Sequence, residues 1–243
     1  MSEDEIIKKH TEAVYKSWTN PEKNWFHKLK DLLQEIIIIV FAVTISLWFH
    51  NWSEERKDRR EEKEFYKGLK EDLLADVKEM MNDRAVLQQA LHNTHYFQKT
   101  GRGAVPDKDS LMQYSWVFFA QVQINPRIGR FEALKGSGKL DIIENKNTLY
   151  NIAELYQKIF PNIYRINQLY NTLTVDRLEP YLSDMIKIDT TGGYANAPEV
   201  LRTSKMRILM SILEGDVTNC IAGYTTGIDK SNALIKQIGE ESK

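Results

Sequence analysis

Gly136-Ser137-Gly138-Lys139 comes nearest to a chemical motif in this 243-residue chain, because a glycine-rich turn ending in lysine can cradle phosphate. A Walker-type loop, however, needs glycine where Ala133 stands and serine or threonine where Leu140 stands, and it follows a strand. Residues 131–135 instead read as a short helix closed by Gly136, so a turn is expected here and not a nucleotide site. His92 and His95 are spaced to share a helix face, but no third ligand lies near them in the sequence, and a transition metal normally takes more than two protein ligands. They read as surface histidines. Cys220 is the single cysteine, which excludes an internal disulfide; it lies on an apolar stripe and reads as a small core residue. The five histidines are dispersed, and no Ser/His/Asp arrangement emerges. No catalytic residue, metal ligand or cofactor is assigned, and the chain is expected to be non-enzymatic.

Charged residues make up 28% of the chain, yet the net charge is −1, so no global basic field points to nucleic acid. Twelve glycines and six prolines among abundant helix formers predict an all-α fold. The strongest signal is residues 36–49, IIIIVFAVTISLWF, an uncharged run that carries Ile36, Ile37, Ile38, Ile39, Val40, Phe41, Val43, Ile45, Leu47, Trp48 and Phe49. Extended to residues 32–52 it covers about 21 positions, or about 31 Å of helix, the thickness of a bilayer's hydrocarbon layer. Four of the five tryptophans, Trp18, Trp25, Trp48 and Trp52, lie near it, as expected of rings that settle at headgroup depth. Glu35 falls about 10 Å from the midpoint at Ala42, at the N-terminal boundary, where a helix favours a carboxylate. The expectation is a transmembrane helix over 32–52 with Trp25, Glu35 and Trp52 interfacial. The C-terminal end of the apolar run, Trp48-Phe49-His50-Asn51-Trp52, shows no small-x-small cleavage pattern, so a cleaved signal peptide is not expected.

Residues 1–31 read as a polar tail broken at Thr19-Asn20-Pro21. Residues 53–64 are a mixed-sign run with i to i+4 pairs such as Glu55 with Arg59, expected to be an exposed helical stalk that continues into a first bundle helix to about residue 100. Leu73, Val77, Met80, Leu87 and Leu91 mark its apolar seam; Arg84 interrupts the seam and is expected to snorkel to the core edge. The remainder, 101–243, is expected to complete a helical bundle. A helix is predicted over 108–121, with Tyr114, Trp116, Phe118 and Phe119 in the core. A second follows Asn145, where Leu149, Ile152, Tyr156, Ile159, Ile163, Ile166, Tyr170 and Leu173 alternate spacings of three and four, a coiled-coil-like seam that wants a partner helix. Pro161 within it is expected to kink the helix. After a loop at residues 190–193, a last long helix from Pro198 carries Leu213, Val217, Cys220, Tyr224, Ile228, Ile235 and Ile238, with Gly215, Gly223 and Gly227 weakening it.

Two blocks carry a family resemblance. Lys28-Leu29-Lys30, the span, and the exit Asn51-Trp52-Ser53-Glu54-Glu55-Arg56, followed by Gly68-Leu69-Lys70-Glu71-Asp72-Leu73, form the first; Ala133-Leu134-Lys135-Gly136-Ser137-Gly138 with residues 149–156 forms the second. Together the blocks cover roughly half the chain. They resemble a bacterial family of small single-span membrane proteins classed as a domain of unknown function, from which this chain departs in its longer, more acidic tail. The resemblance implies no activity; it does imply a body exported from the cytoplasm.

Orientation divides two arguments. Arg56, Lys57, Arg59, Arg60, Lys63 and Lys67 after the span outnumber Lys23, Lys28 and Lys30 before it, which by the positive-inside rule keeps the body in the cytoplasm. The uncleaved-anchor layout and the resemblance place the body outside, and that reading is adopted: a single-pass protein of the bacterial inner membrane. The expected partners are the lipid bilayer and either a second copy or another membrane protein, with no nucleic acid. The functional expectation is an interaction or assembly module. The alternatives are a ligand-sensing domain that binds a small molecule near Tyr114, Trp116, Phe118 and Phe119, and a membrane-bound enzyme.

Overall fold

The computed structural model describes residues 8, 9, 11, 12, 15, 25–190 and 192–241, without the side chains of residues 27, 28 and 31. Trp18, the break at residues 19–21 and Thr191 lie outside the described residues. The fold is all-α: the described residues contain no strand, and one isolated antiparallel bridge joins Ile188 to Tyr194. The chain divides into two compact units, Met1–Glu61 and Glu62–Lys243, a boundary that falls inside the expected stalk.

Helix α1, Trp25–Gly101, supplies residues to both units. Its described part reaches back seven residues before the expected span, and residues 36–60 are exposed along their whole length. From Tyr66 onward the same helix turns apolar side chains inward: Tyr66, Leu69, Leu73, Val77, Met80, Leu87, Ala90 and Phe97 are buried, at the three-and-four spacing of a helix that covers a core. Leu69, Leu73 and Leu87 have no exposed surface, and burial of each contributes about 1.5–3 kcal/mol.

The second unit continues with α2 (Lys108–Tyr114), which passes into a 3₁₀ turn at Ser115–Phe118, and α3 (Gly129–Gly136). The helix expected to reach residue 121 thus stops early. The reason is side-chain capture of the following strand-like segment: Asn171 accepts from the Val122 N–H (3.0 Å) and donates to its carbonyl (2.8 Å), while Asn167 accepts from the Ile124 N–H (3.0 Å). Two amides one turn apart on a helix take the place of a neighbouring strand, so the backbone of residues 122–124 finds partners without being helical.

Those asparagines belong to a nearly continuous helical run: α4 (Lys146–Glu154), a π-helical turn (Leu155–Ile159), α5 (Phe160–Leu173), a second π-helical turn (Thr174–Leu178) and α6 (Glu179–Met185). Asn145 caps the start by accepting from the Asn147 and Thr148 N–H groups (2.9 and 3.3 Å). Both wide turns have one cause. Pro161 and Pro180 each lack an N–H, and each ring would crowd the carbonyl four residues back, at Gln157 and Asp176; both of those positions lie inside the π turns, where the backbone is already widened. The expected disturbance at Pro161 takes this form, and an equivalent one stands at Pro180.

The run packs on α8 (Ser204–Glu241), chiefly through α5. The expected single C-terminal helix is in fact two, because α7 (Ala197–Arg202) ends at Thr203, whose backbone is extended. The Thr203 hydroxyl donates to the Val200 carbonyl (2.7 Å) and accepts from the Met206 N–H (3.2 Å), which ends one helix and caps the next. Along α8, Leu213, Val217, Cys220, Tyr224, Ile228 and Ile238 are buried; Ile235 is half-buried and Leu234 takes its place in the core. α1 and α8 run antiparallel, as the pairs Tyr66 with Glu241, Arg84 with Thr225 and Gln98 with Glu214 show. Glu241 gathers three segments, accepting from Tyr66 of α1 (3.2 Å), Asn145 (2.6 Å) and Thr148 of α4 (2.6 Å).

Candidate functional site

Two features of the described chain stand out as candidates for function: the exposed apolar stretch in the first unit and an apolar cavity in the second. In the first, all of residues 36–49 are exposed, from Ile39 and Ile45 at 45% to Ile37 and Phe41 at 65%. This is one helix long and apolar enough to cross a membrane. Of its two hydroxyl side chains, Thr44 donates to the Val40 carbonyl one turn back (2.7 Å), which satisfies its donor within the helix. At the C-terminal end Trp48, Trp52 and Arg56 follow one another at i to i+4 spacing: the indoles stack with centroids 6.5 Å apart, and the Arg56 guanidinium lies 4.2 Å over the Trp52 ring. Phe49 meets Trp52 edge-on (5.6 Å), and Trp25 lies against Phe26 at the other end (4.2 Å). Glu35 is half-buried beside the run.

In the second unit a cavity of about 320 Å³ opens where the ends of α1, α6 and α7 meet the short α2 segment. α2 is set in place from its first residue. The Asp107 carboxylate caps the Ser110 N–H (2.8 Å) and is held below the usual carboxylate range by that bond. The Asp107 N–H donates to the Tyr96 hydroxyl (3.0 Å), which donates in turn to the Asp107 carbonyl (3.2 Å). Beyond it, Phe118 packs on Phe97 with ring centroids 4.5 Å apart, and Leu111 joins them, all three buried. Leu182 and Ile186 of the α6 segment form a second wall; Ala197 and Leu201 of α7 form a third.

The fourth wall is the connection from α6 to α7. Asn196 clamps its base, accepting from the Lys187 N–H (2.7 Å) and donating to the Met185 carbonyl (2.9 Å). The Ala195 N–H donates to the Lys187 carbonyl (2.8 Å), and the Asp189 carboxylate accepts from the Gly193 N–H (2.8 Å). Gly192, at φ +83°, permits the reversal that a residue with a Cβ resists. This small hairpin carries Ile188 and Tyr194 to the cavity; Ile188 is 70% exposed, and Phe119, also in the lining, is half-exposed.

The polar side chains that line the cavity are few. The Ser115 hydroxyl donates to the Met112 carbonyl (2.8 Å), so in the 3.2 Å contact between Ser115 and Tyr194 the tyrosine O–H is the donor. Both protons are thereby used within the protein, and the pair offers only lone pairs outward. Glu179 and Ser183, one turn apart on α6, complete the polar lining. The Glu179 carboxylate has no hydrogen-bond or ion-pair partner among the described residues, and no lysine, arginine or histidine lines the cavity.

Elsewhere several charged groups are engaged in holding the fold. Asp76, with its side chain 2% exposed, binds Arg127 through the guanidinium (2.6 Å) and the backbone N–H (3.1 Å), and Arg127 reaches on to Glu79 (2.7 Å). Burial raises the Asp76 carboxyl above its usual range although Arg127 acts to lower it. Burial likewise raises Asp83, near the Tyr224 hydroxyl, whose one proton goes to Asn167 Oδ1 (3.2 Å). Glu214 accepts from Gln98 (2.8 Å) and meets His95 Nε2 (3.0 Å), and these bonds hold its carboxyl below the usual range.

Of the residues singled out in the sequence, Ile152, Tyr156, Ile163, Tyr170 and Leu173 are buried, whereas Leu149, Ile159 and Ile166 are half-buried beside Leu155, Phe160 and Asn167, which the seam omitted. The π turn at Leu155–Ile159 shifts the helical phase, so beyond it a regular three-and-four reading drifts off the true core face. Arg84 is half-buried and reaches the Thr225 hydroxyl (3.3 Å). The aromatic set is divided. Phe118 and Phe119 line the cavity, while the Trp116 indole N–H turns to the buried Asn93 (3.1 Å, with that amide oriented to accept) and Tyr114 packs on Tyr96. Phe119, expected in the core, is 47% exposed at the cavity mouth, because the helix that would have turned it inward ends before it. The Gly136 to Lys139 turn follows α3, and Gly138 adopts φ +73° there. His92 meets Tyr114 edge-on, and His95 engages Glu214. Glu179 and Tyr194 drew no notice in the sequence; a lone glutamate before a proline carries no signal until α6 and the hairpin bring it to an apolar wall. Comparison with models of protein families, with curated proteins and with solved structures finds no match for this chain.

Proposed function

We propose that the chain is a single-pass protein of the bacterial inner membrane whose helical body lies outside the cytoplasm and acts as an interaction and assembly module, not as an enzyme. The observation that carries the membrane reading is the unbroken exposure of residues 36–49 between Trp25 and the Trp48, Trp52 and Arg56 ladder. Twelve apolar side chains set in water would oppose the hydrophobic effect along a whole helix; lipid removes that cost. Trp25 and Trp52 lie about 40 Å apart along the helix, a separation that brackets a hydrocarbon layer of roughly 30 Å at its two interfaces.

Alkaline washing of membranes tests the anchor: the protein stays in the pellet, and its release into the supernatant would overturn the reading. A cytoplasm-only reporter fused to the C-terminus is expected to be silent, and its activity would reverse the orientation. Crosslinking in native membranes is expected to give a dimer or a defined hetero-complex; monomer alone would remove the assembly role. A second reading, a tethered ligand-sensing domain, is favoured by the cavity bounded by Phe118 and Phe119, whose volume falls within the range of small-molecule sites.

A further inference from the structure

We propose that the cavity between α2, α6, α7 and the Ile188–Tyr194 hairpin binds a small organic cation, an amine or amidine carried on an apolar body. The inference rests on the ligand-binding reading and adds to it the chemical class of the ligand. Its size limit comes from the volume: about 320 Å³ holds roughly ten groups the size of a water or a methylene. The apolar body is matched by Phe97, Leu182 and Leu201, which are buried, and by Phe119 and Ile188, which stand exposed at the mouth with nothing covering them among the described residues.

The head group is selected by hydrogen-bond bookkeeping. Tyr194 donates to Ser115 and Ser115 donates to the Met112 carbonyl, so the hydroxyl pair presents acceptors alone. The Glu179 carboxylate, exposed to solvent at the cavity's rim, is an acceptor as well and has no hydrogen-bond or ion-pair partner among the described residues. Ser183 is the one lining hydroxyl with a proton not committed to a described partner, one turn along the same helix. An edge built mainly of acceptors around an uncompensated negative charge favours a ligand that brings donors and positive charge. It disfavours carboxylates and phosphates, which would find no cation in the lining. Aromatic faces at Phe118, Phe119 and Tyr194 suit an ammonium or guanidinium further.

The test uses the full chain in lipid nanodiscs, with empty nanodiscs as the reference, and three probes of one size: phenylbutylamine, phenylbutanol and phenylbutyrate. Calorimetric titration is expected to give binding of the amine about tenfold tighter than the alcohol and no measurable binding of the carboxylate. Glu179→Gln removes the amine's advantage and leaves alcohol binding unchanged, whereas Ala197→Leu, which fills the cavity, weakens both. Equal binding of the three probes, or an amine preference that survives Glu179→Gln, overturns the head-group assignment and leaves the ligand-binding reading standing. Absence of binding by all three overturns both.

Discussion

Replacing Gly101 and Gly215 by alanine, one at a time, should move stability in opposite directions. Gly215 lies on the exposed side of α8, and a Cβ built there meets nothing within 4 Å. Alanine at an open mid-helix site is favoured over glycine by about 1 kcal/mol, through the backbone entropy that glycine alone must lose. Gly101 ends α1 and is buried, and a Cβ there would lie 2.7 Å from the Leu201 carbonyl oxygen. That neighbour is backbone of α7, so no rotamer change relieves the clash, and the last turn of α1 must separate from α7. Forced displacement of packed elements costs about 1–3 kcal/mol, which outweighs the small propensity gain at a helix end. For a folded unit of this size each kcal/mol shifts the melting temperature by about 2–4 °C. Calorimetry of the full chain in nanodiscs should therefore show Gly215→Ala melting about 2–4 °C higher and Gly101→Ala about 2–10 °C lower. A rise for Gly101→Ala would refute the close approach of α1 to α7 and, with it, the cavity wall that Leu201 provides.

Asn167→Leu leaves the buried Ile124 N–H without its acceptor and should cost about 2–3 kcal/mol in urea unfolding, with the exchange of that amide accelerated; an unchanged midpoint would dismiss the role of the amide. Asp83 has a carboxyl raised above its ordinary value by burial, so in the native state it holds its proton to higher pH than in the unfolded chain. Its contribution is fully present below the unfolded value and is lost as pH rises through the folded one. Asp83→Asn should accordingly gain most over the wild type at pH 7, with the gap closing on acidification; a gap that widens in acid contradicts the sign. Cys220 is fully buried with its thiol pushed up to about 11 by burial, so native protein should resist maleimide until denaturant is added, and fast labelling without denaturant would contradict its burial.

How far the fold could be read in advance depended on whether a signal was local. Gly101 and Asn145 mark helix ends through their own backbone chemistry, and α1 stops and α4 starts where they stand. The break at Thr203 was equally local, but a threonine that caps one helix and closes another looks like any threonine inside an apolar stripe. The end of the 108–121 helix was not local at all: it depends on Asn167 and Asn171, more than forty residues away, offering the backbone at Val122 and Ile124 an alternative to helix. The cavity is the extreme case. Its lining comes from Phe97 through Leu201, in five segments whose residues are individually unremarkable, and the approach of Glu179 to the others is a property of tertiary structure alone.

The gathering of Tyr66, Asn145 and Thr148 around Glu241 bears on the order in which the protein is made. Tyr66 and Glu241 are separated by 175 positions, and at roughly 5–20 residues per second a ribosome needs on the order of 10–30 s to travel between them. During that interval the isoleucine-rich stretch has long been exposed at the tunnel exit, while the apolar side of its own helix still lacks the strut that will cover it. The nascent chain must therefore settle its greasiest segment before its fold can close, and truncation ahead of Glu241 would withhold the carboxylate on which three segments converge.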